Sequence, residues 1–198
     1  MTPRVAVFID YQNVHFSARS RFLPADAPRH HGHVDPGRVA ERIVAGRRFG
    51  GELTSVRVYR GRPSPDHQQA AARASDRQAA RWERDPRVTV VRRQLRYPKS
   101  WPVEPAQEKG IDVALAVDFV RLACENAYDV GILFSRDTDL VPALEAVRDL
   151  ESGLVHVEVA SWTGASRIRF PDSQLPWCHY LGADDYEACR DDTDYTLI

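Results

Sequence analysis

What the chain lacks narrows the problem first. No apolar run approaches the length of a membrane span. The first residues, MTPRVAVFID, meet an aspartate after five apolar positions and do not have the layout of a secretory leader. A cytoplasmic protein with no membrane partner is therefore expected. Cysteine is scarce: Cys124, Cys178 and Cys189 are an odd number, and no two have the spacing of a metal knuckle. That argues against a disulfide scaffold and against a thiolate metal centre. Cys124, in an apolar-patterned helical stretch, is expected in the core. Glycine-rich phosphate loops are missing too: DYQNV follows the first apolar run where a G-x-G-x-x-G would stand, and there is no Walker lysine motif. No G-x-S-x-G nucleophile elbow, internal repeat or low-complexity tract occurs.

What remains is a 198-residue chain, 43% hydrophobic and 28% charged, of a size and balance suited to one globular domain with a real core. The formal net charge of −1 conceals an asymmetry. Twelve Arg/Lys face four Asp/Glu between Arg57 and Lys99, whereas the tail after Leu181 holds six acidic residues against Arg190. A basic middle suits a polyanion such as nucleic acid, although arginine-rich helices are also simply solvated.

Periodicity predicts alternating strands and helices. VAVFI (5–9) is a continuous apolar run, as in a strand buried on both faces. Residues 35–48 show helical periodicity behind an Asp35-Pro36 start. Further strands are expected at 54–60, 87–95, 130–135 and 154–162, and further helices at 66–85, 110–126 and after Asp139. The last forty residues look less regular, with one short helix near Asp184–Arg190. This alternation implies an α/β fold with a mostly parallel central sheet, whose ligand sites lie beyond the carboxyl ends of the strands.

Carboxylates mark that edge. Asp10 ends the first strand, Asp137 and Asp139 follow the fourth, and Asp112 begins the helix leading into it. Asp137 and Asp139 also fit a helix start, where carboxylates face the positive end of the dipole. If the first and fourth strands are neighbours, all four acids converge, and the cluster needs a cation to offset its repulsion. Oxygen donors without histidine or thiolate point to Mg²⁺ or Mn²⁺. Asp118 lies about 9 Å further along the helix from Asp112 and reads as a supporting or structural acid. Asn13, one turn from Asp10, suits orienting that carboxylate or capping a helix. Glu41 reads as a solvated helix residue, and His30, His31 and His33 as an exposed Pro/Gly-rich loop.

Three stretches, VFIDYQNV, KGIDVALAVDFV and VGILFSRDTDLVPAL, in this order and spacing, resemble the NYN domain family, a branch of the PIN-like nucleases, across roughly residues 4–162. The resemblance implies a PIN-like three-layer α/β/α fold, with residues 1–165 as the domain and 166–198 as an irregular C-terminal extension carrying the acidic tail. It also implies an acidic divalent-metal site and single-stranded RNA as substrate. Asp10 and Asn13 match the family's D-x-x-N signature, Asp112 its K-G-x-D, and Asp137 and Asp139 the paired acids of S-x-D-x-D. The sequence departs from the pattern at Arg136, where a small residue is usual, and in the tail after Leu181.

The function expected is a metal-dependent ribonuclease in which a metal-activated water hydrolyses a phosphodiester. Asp10, Asp112 and Asp137 are the expected ligands, with Asp139 either coordinating or positioning the water. Asn13, Lys109, Ser135, Arg136 and Trp101 are expected at the substrate, with Arg60 and Arg62 as further phosphate contacts. Tyr11, Trp101 and Trp162 are candidates for base stacking. Two other readings stand beside this one: a weak or inactive NYN-domain regulator that binds RNA or protein, and a small-molecule phosphoesterase using the same metal. The tail reads either as a nucleic-acid mimic folded over the basic region or as disordered. A homo-oligomer is left open.

Overall fold

A computed structural model of the protein describes residues 1–28, 30–150, 153, 155–166, 168–171 and 175–197. In chain order it contains β1 (Arg4–Asp10), α1 (Tyr11–Phe22), α2 (Pro36–Ala45), β2 (Glu52–Arg62), α3 (Gln69–Trp82), β3 (Val88–Gln94), α4 (Ile111–Cys124), β4 (Val130–Phe134), a 3-10 turn (Thr138–Leu140), α5 (Val141–Arg148), β5 (His156–Trp162), β6 (Trp177–Leu181) and α6 (Ala183–Cys189). The strands form one six-stranded sheet in the order β3-β2-β1-β4-β5-β6, and every neighbouring pair is parallel.

A parallel sheet must be covered on both faces, and β1 shows why this one is. Val5, Val7 and Ile9 enter one core with α1, α2, α3 and α6. Ala6 and Phe8 enter the other with α4 and α5. The result is the expected three-layer α/β/α arrangement. Strand order reverses between β1 and β4, whose residues pair directly (Ile9 opposite Phe134), so a crevice opens beyond their carboxyl ends.

Local chemistry explains the boundaries. Asp35 caps α2 by accepting the Arg38 N–H at 3.0 Å, with Pro36 in the first turn. In α3 the small Ala72, Ser75 and Ala79, together with Gln78 and Trp82, face inward, and the arginines are left outside. Much of the basic middle is internally neutralised. Arg57 pairs with Asp118, Arg62 and Arg92 share Asp76, and Arg87 holds Asp85 and Glu41. Arg62 is therefore taken up by an ion pair.

Four features differ from expectation. Helix α1 was not anticipated, because its buried positions, Tyr11, Val14, Ser17 and Ala18, are too mixed in polarity to show a period, and Phe16 is exposed. The segment expected to be irregular supplies β6 as well as the anticipated short helix. β6 is brief and lies at the sheet edge with Trp177 and Tyr180 exposed, so it lacks the apolar run that marks an inner strand. The tail packs onto the body instead of being disordered. Tyr186 and Cys189 are in the core, Asp185 pairs with Arg42, and buried Asp191 accepts the Tyr195 hydroxyl at 2.6 Å and Trp82 Nε1 at 3.4 Å. Cys124, by contrast, is exposed; the helix turns its sulfur away from the core. Among the described residues no helix is long and apolar enough to cross a membrane.

Candidate metal centre

The end of β1, the start of α4 and the turn after β4 meet at the crevice. Asp10 is the last residue of β1 and the cap of α1, accepting the Asn13 N–H at 3.3 Å. Asp112 lies in the first turn of α4, which opens on Gly110 at φ 73°, a left-handed conformation suited to glycine. Asp137 caps the 3-10 turn by accepting the Asp139 N–H at 2.9 Å. Each acid thus sits where helical N–H groups and the helix dipole favour negative charge. One carboxylate oxygen from each of Asp10, Asp112 and Asp137 lies within 4.8 Å of the other two. No ion pair engages any of the three among the described residues.

Three unpaired carboxylates this close repel one another, and burial adds to the cost of ionising two of them. Burial pushes the Asp10 carboxyl up to about 6, against the bonds from Ser135 and Asn13, and Asp112 and Glu108 add to the rise. Asp112 is also raised, first by burial and then by the charges of Asp137 and Asp139. A hard divalent cation among these oxygens would remove the repulsion, so the donor set fits Mg²⁺ or Mn²⁺.

Of the remaining expected site residues, the structure places several differently. Asp139 stands outside the close group; it is exposed and acts on Asp112 through its charge. Ser135 is buried: its hydroxyl donates to Asp10 Oδ2 at 2.7 Å and accepts the Asp137 N–H at 3.0 Å. Its hydroxyl thus bridges Asp10 and the turn that carries Asp137. Asn13 accepts the Arg136 N–H at 3.3 Å, tying α1 to the loop after β4. Lys109 and the Arg136 side chain are exposed beside Asp112 and Asp137. Trp101 lies further off, in the loop after β3, edge-on to Tyr97 with centroids 5.0 Å apart.

Two stacking candidates are withdrawn into the core. Tyr11 is 2% exposed with its hydroxyl on the Val34 carbonyl, and Trp162 is 1% exposed with Nε1 on the Val14 carbonyl. Asp118 is a structural acid: burial opposes its charge, but bonds from Arg57, Tyr59 and Arg121 hold it below the usual range. Glu41 is paired with Arg87 away from the site. The loop histidines are only partly exposed, not fully as expected: His30 Nδ1 lies 3.6 Å from Asp194, and His33 stacks on His15 with ring centroids 4.1 Å apart.

One residue of the site was not foreseen. Glu108 reaches over the end of β2, where its Oε1 accepts the Gly61 N–H. The Gln12 amide lies against both Glu108 oxygens, and assigning its nitrogen to that side lets it donate to them at 2.8 and 2.5 Å. Burial raises the Glu108 pKa, and the charge of Asp112 raises it further. The signal for it in the sequence was Gly61. A glycine interrupting a strand marks a close approach, and a Cβ there would come within 2.7 Å of Glu108 Oε1.

No curated protein matches the chain. A solved structure of a protein of unknown function from Vibrio parahaemolyticus shares the fold with a TM-score of 0.54 at 16% identity, covering 96% of this chain and 97% of that one. The NYN domain model matches residues 4–170. With that match spanning most of its length, the chain belongs to the NYN domain family, within the PIN-like nuclease superfamily.

Proposed function

We propose that the protein is a divalent-metal-dependent ribonuclease that hydrolyses phosphodiester bonds of single-stranded RNA. The observation that carries this reading is the unpaired group of Asp10, Asp112 and Asp137, drawn from three distant parts of the chain. These three side chains would hold the ion. Bound there, Mg²⁺ or Mn²⁺ supplies charge neutralisation for the phosphodiester and acidifies a water. The chain's own residues do the rest. Ser135 fixes Asp10 and, through the Asp137 N–H, the turn that presents Asp137. Asp139, at the rim, takes the role of orienting water. Lys109 and Arg136, whose side chains have no bonded partner among the described residues, take the substrate phosphates, and partly exposed Trp101 stacks a base further along the strand.

The test is incubation with labelled single-stranded RNA and DNA in Mn²⁺, Mg²⁺ or EDTA. The reading expects RNA cleavage that needs the metal and disappears in Asp137→Asn. RNA binding that survives both EDTA and this substitution, with no cleavage in any condition, would make the protein a binding module.

A further inference from the structure

Arg60 occupies an unusual position for a charged residue. It follows Tyr59, the register partner of Asp10, so it stands at the same sheet edge as the acids but points to the opposite face. Its guanidinium lies over the rings of Tyr11 and Trp82, 5.2 and 5.6 Å from their centroids, and Nη1 donates to Gln78 Oε1. Arg57, Arg62, Arg87 and Arg92 each have a carboxylate partner; Arg60 has none among the described residues. A half-buried cation with no carboxylate in direct contact is costly to maintain; burial lowers its pKa, and the charges of Tyr11 and Glu108 only partly offset this.

Two recesses share Arg60, His33 and Pro63 as walls. One, of about 250 Å³, runs past Gln12 and Gly61 to Glu108 and so toward the acids. The other, of about 260 Å³, lies between α3 and the segment Thr193–Thr196, which is outside the residues matched by the family. Ser75 and Gln78 line the second recess and are only 4% and 3% exposed. Yet Ser75 Oγ and Gln78 Nε2 have no hydrogen-bond partner. Buried polar atoms are normally satisfied, and an orphan costs stability. Asp194 also lines this recess, but its carboxylate is taken up by the Thr196 N–H and hydroxyl and lies 3.6 Å from His30 Nδ1. What is left unengaged is a set of donors: the Gln78 amide N–H groups, the Ser75 hydroxyl and the remaining Arg60 N–H groups. Such a set suits an acceptor-rich anion, and a guanidinium with two neutral donors matches the oxygens of a phosphate.

We propose that Arg60, Gln78 and Ser75 form a phosphate-binding subsite, separate from the acidic group and connected to it by the Glu108 cleft. Resting on the ribonuclease reading above, the subsite takes a phosphate of the RNA strand away from the bond that is cut. The same chemistry would accept free phosphate.

The experiment measures binding in EDTA, where cleavage does not occur, with two probes: inorganic phosphate and a single-stranded RNA oligonucleotide lacking terminal phosphates. Ser75→Ala is the most informative variant, because removing an orphan hydroxyl leaves the fold as stable or more so. Ala74→Phe fills the recess from its α3 wall, and Arg60→Lys keeps the charge while losing the forked donors. All three should weaken binding by about tenfold, the value of one hydrogen bond to a charged group. Loss for both probes assigns the subsite to a strand phosphate, and loss for inorganic phosphate alone to a free one. Folded Ser75→Ala and Ala74→Phe proteins that bind both probes like the parent would overturn the subsite. Metal-dependent cleavage by the parent, scored separately, decides the ribonuclease reading regardless of this result.

Discussion

The Ser135 hydroxyl stands 2.7 Å from Asp10 Oδ2, bridging 125 positions of sequence, while its oxygen receives the Asp137 N–H at 3.0 Å. One buried side chain thus holds two of the three clustered acids in register. Ser135→Ala removes both bonds without adding bulk. Mn²⁺ affinity is expected to fall about tenfold, as when an outer partner of a metal ligand is lost. Calorimetric titration of folded variant against parent checks this; equal affinities would mean the hydroxyl is only a packing element.

Asp10 gives a prediction with a definite sign. Its pKa in the folded protein is about 6, above the unfolded value of 3.8, so ionisation is harder in the fold than out of it. The metal-free protein therefore carries a penalty from this group above about pH 6, and the penalty is relieved as pH falls toward 3.8. Without metal, Asp10→Asn is expected to melt higher than the parent near neutral pH, with the gap closing in mild acid. Added Mn²⁺ should stabilise the parent and leave the variant where it was. Melting curves with and without the ion decide the matter.

Gly61 sets how closely Glu108 approaches the sheet edge. A methyl group there meets Leu95 and Glu108. Gly61→Ala should destabilise the protein by about 1–3 kcal/mol, the usual cost of overpacking, as measured by denaturant titration. A neutral result would show that the loop carrying Glu108 moves aside freely.

Far from the site, Glu158 is buried with Arg47 and His179, bonded at 2.7 Å to each. Burial works against its charge, but these two partners hold its pKa at about 2. Because this lies below the unfolded value of 4.5, the stabilisation is present above about pH 4.5 and is lost as pH falls through 2. Glu158→Gln leaves the Arg47 charge buried and uncompensated, at a cost of about 3 kcal/mol near neutrality. The difference should narrow in acid, which chemical denaturation at a series of pH values reads directly.

Much of the architecture was legible beforehand for local reasons. A continuous apolar run gave β1, alternation gave β2, and Asp35-Pro36 marked the start of α2. Asp10, Asp112 and Asp137 each end or begin an element, so their place at the sheet edge followed from periodicity and capping alone. Helix α1 and edge strand β6 escaped because their buried sides are short and chemically mixed.

Which side chains meet, as opposed to where each one stands along its element, was decided by long-range packing. Periodicity and capping express each residue's preference for burial and for a backbone angle, and those preferences act over a few neighbouring positions. They placed Ser135 beside Asp137 but could not show that Asp10 would claim its hydroxyl. They placed Arg60 and Arg62 on one strand without revealing that the first turns inward over Tyr11 while the second pairs with Asp76. Glu108 joined the acids only because the loop after β3 folds back over Gly61. Such meetings depend on strand order and helix packing, where the free energy is shared among residues more than a hundred positions apart.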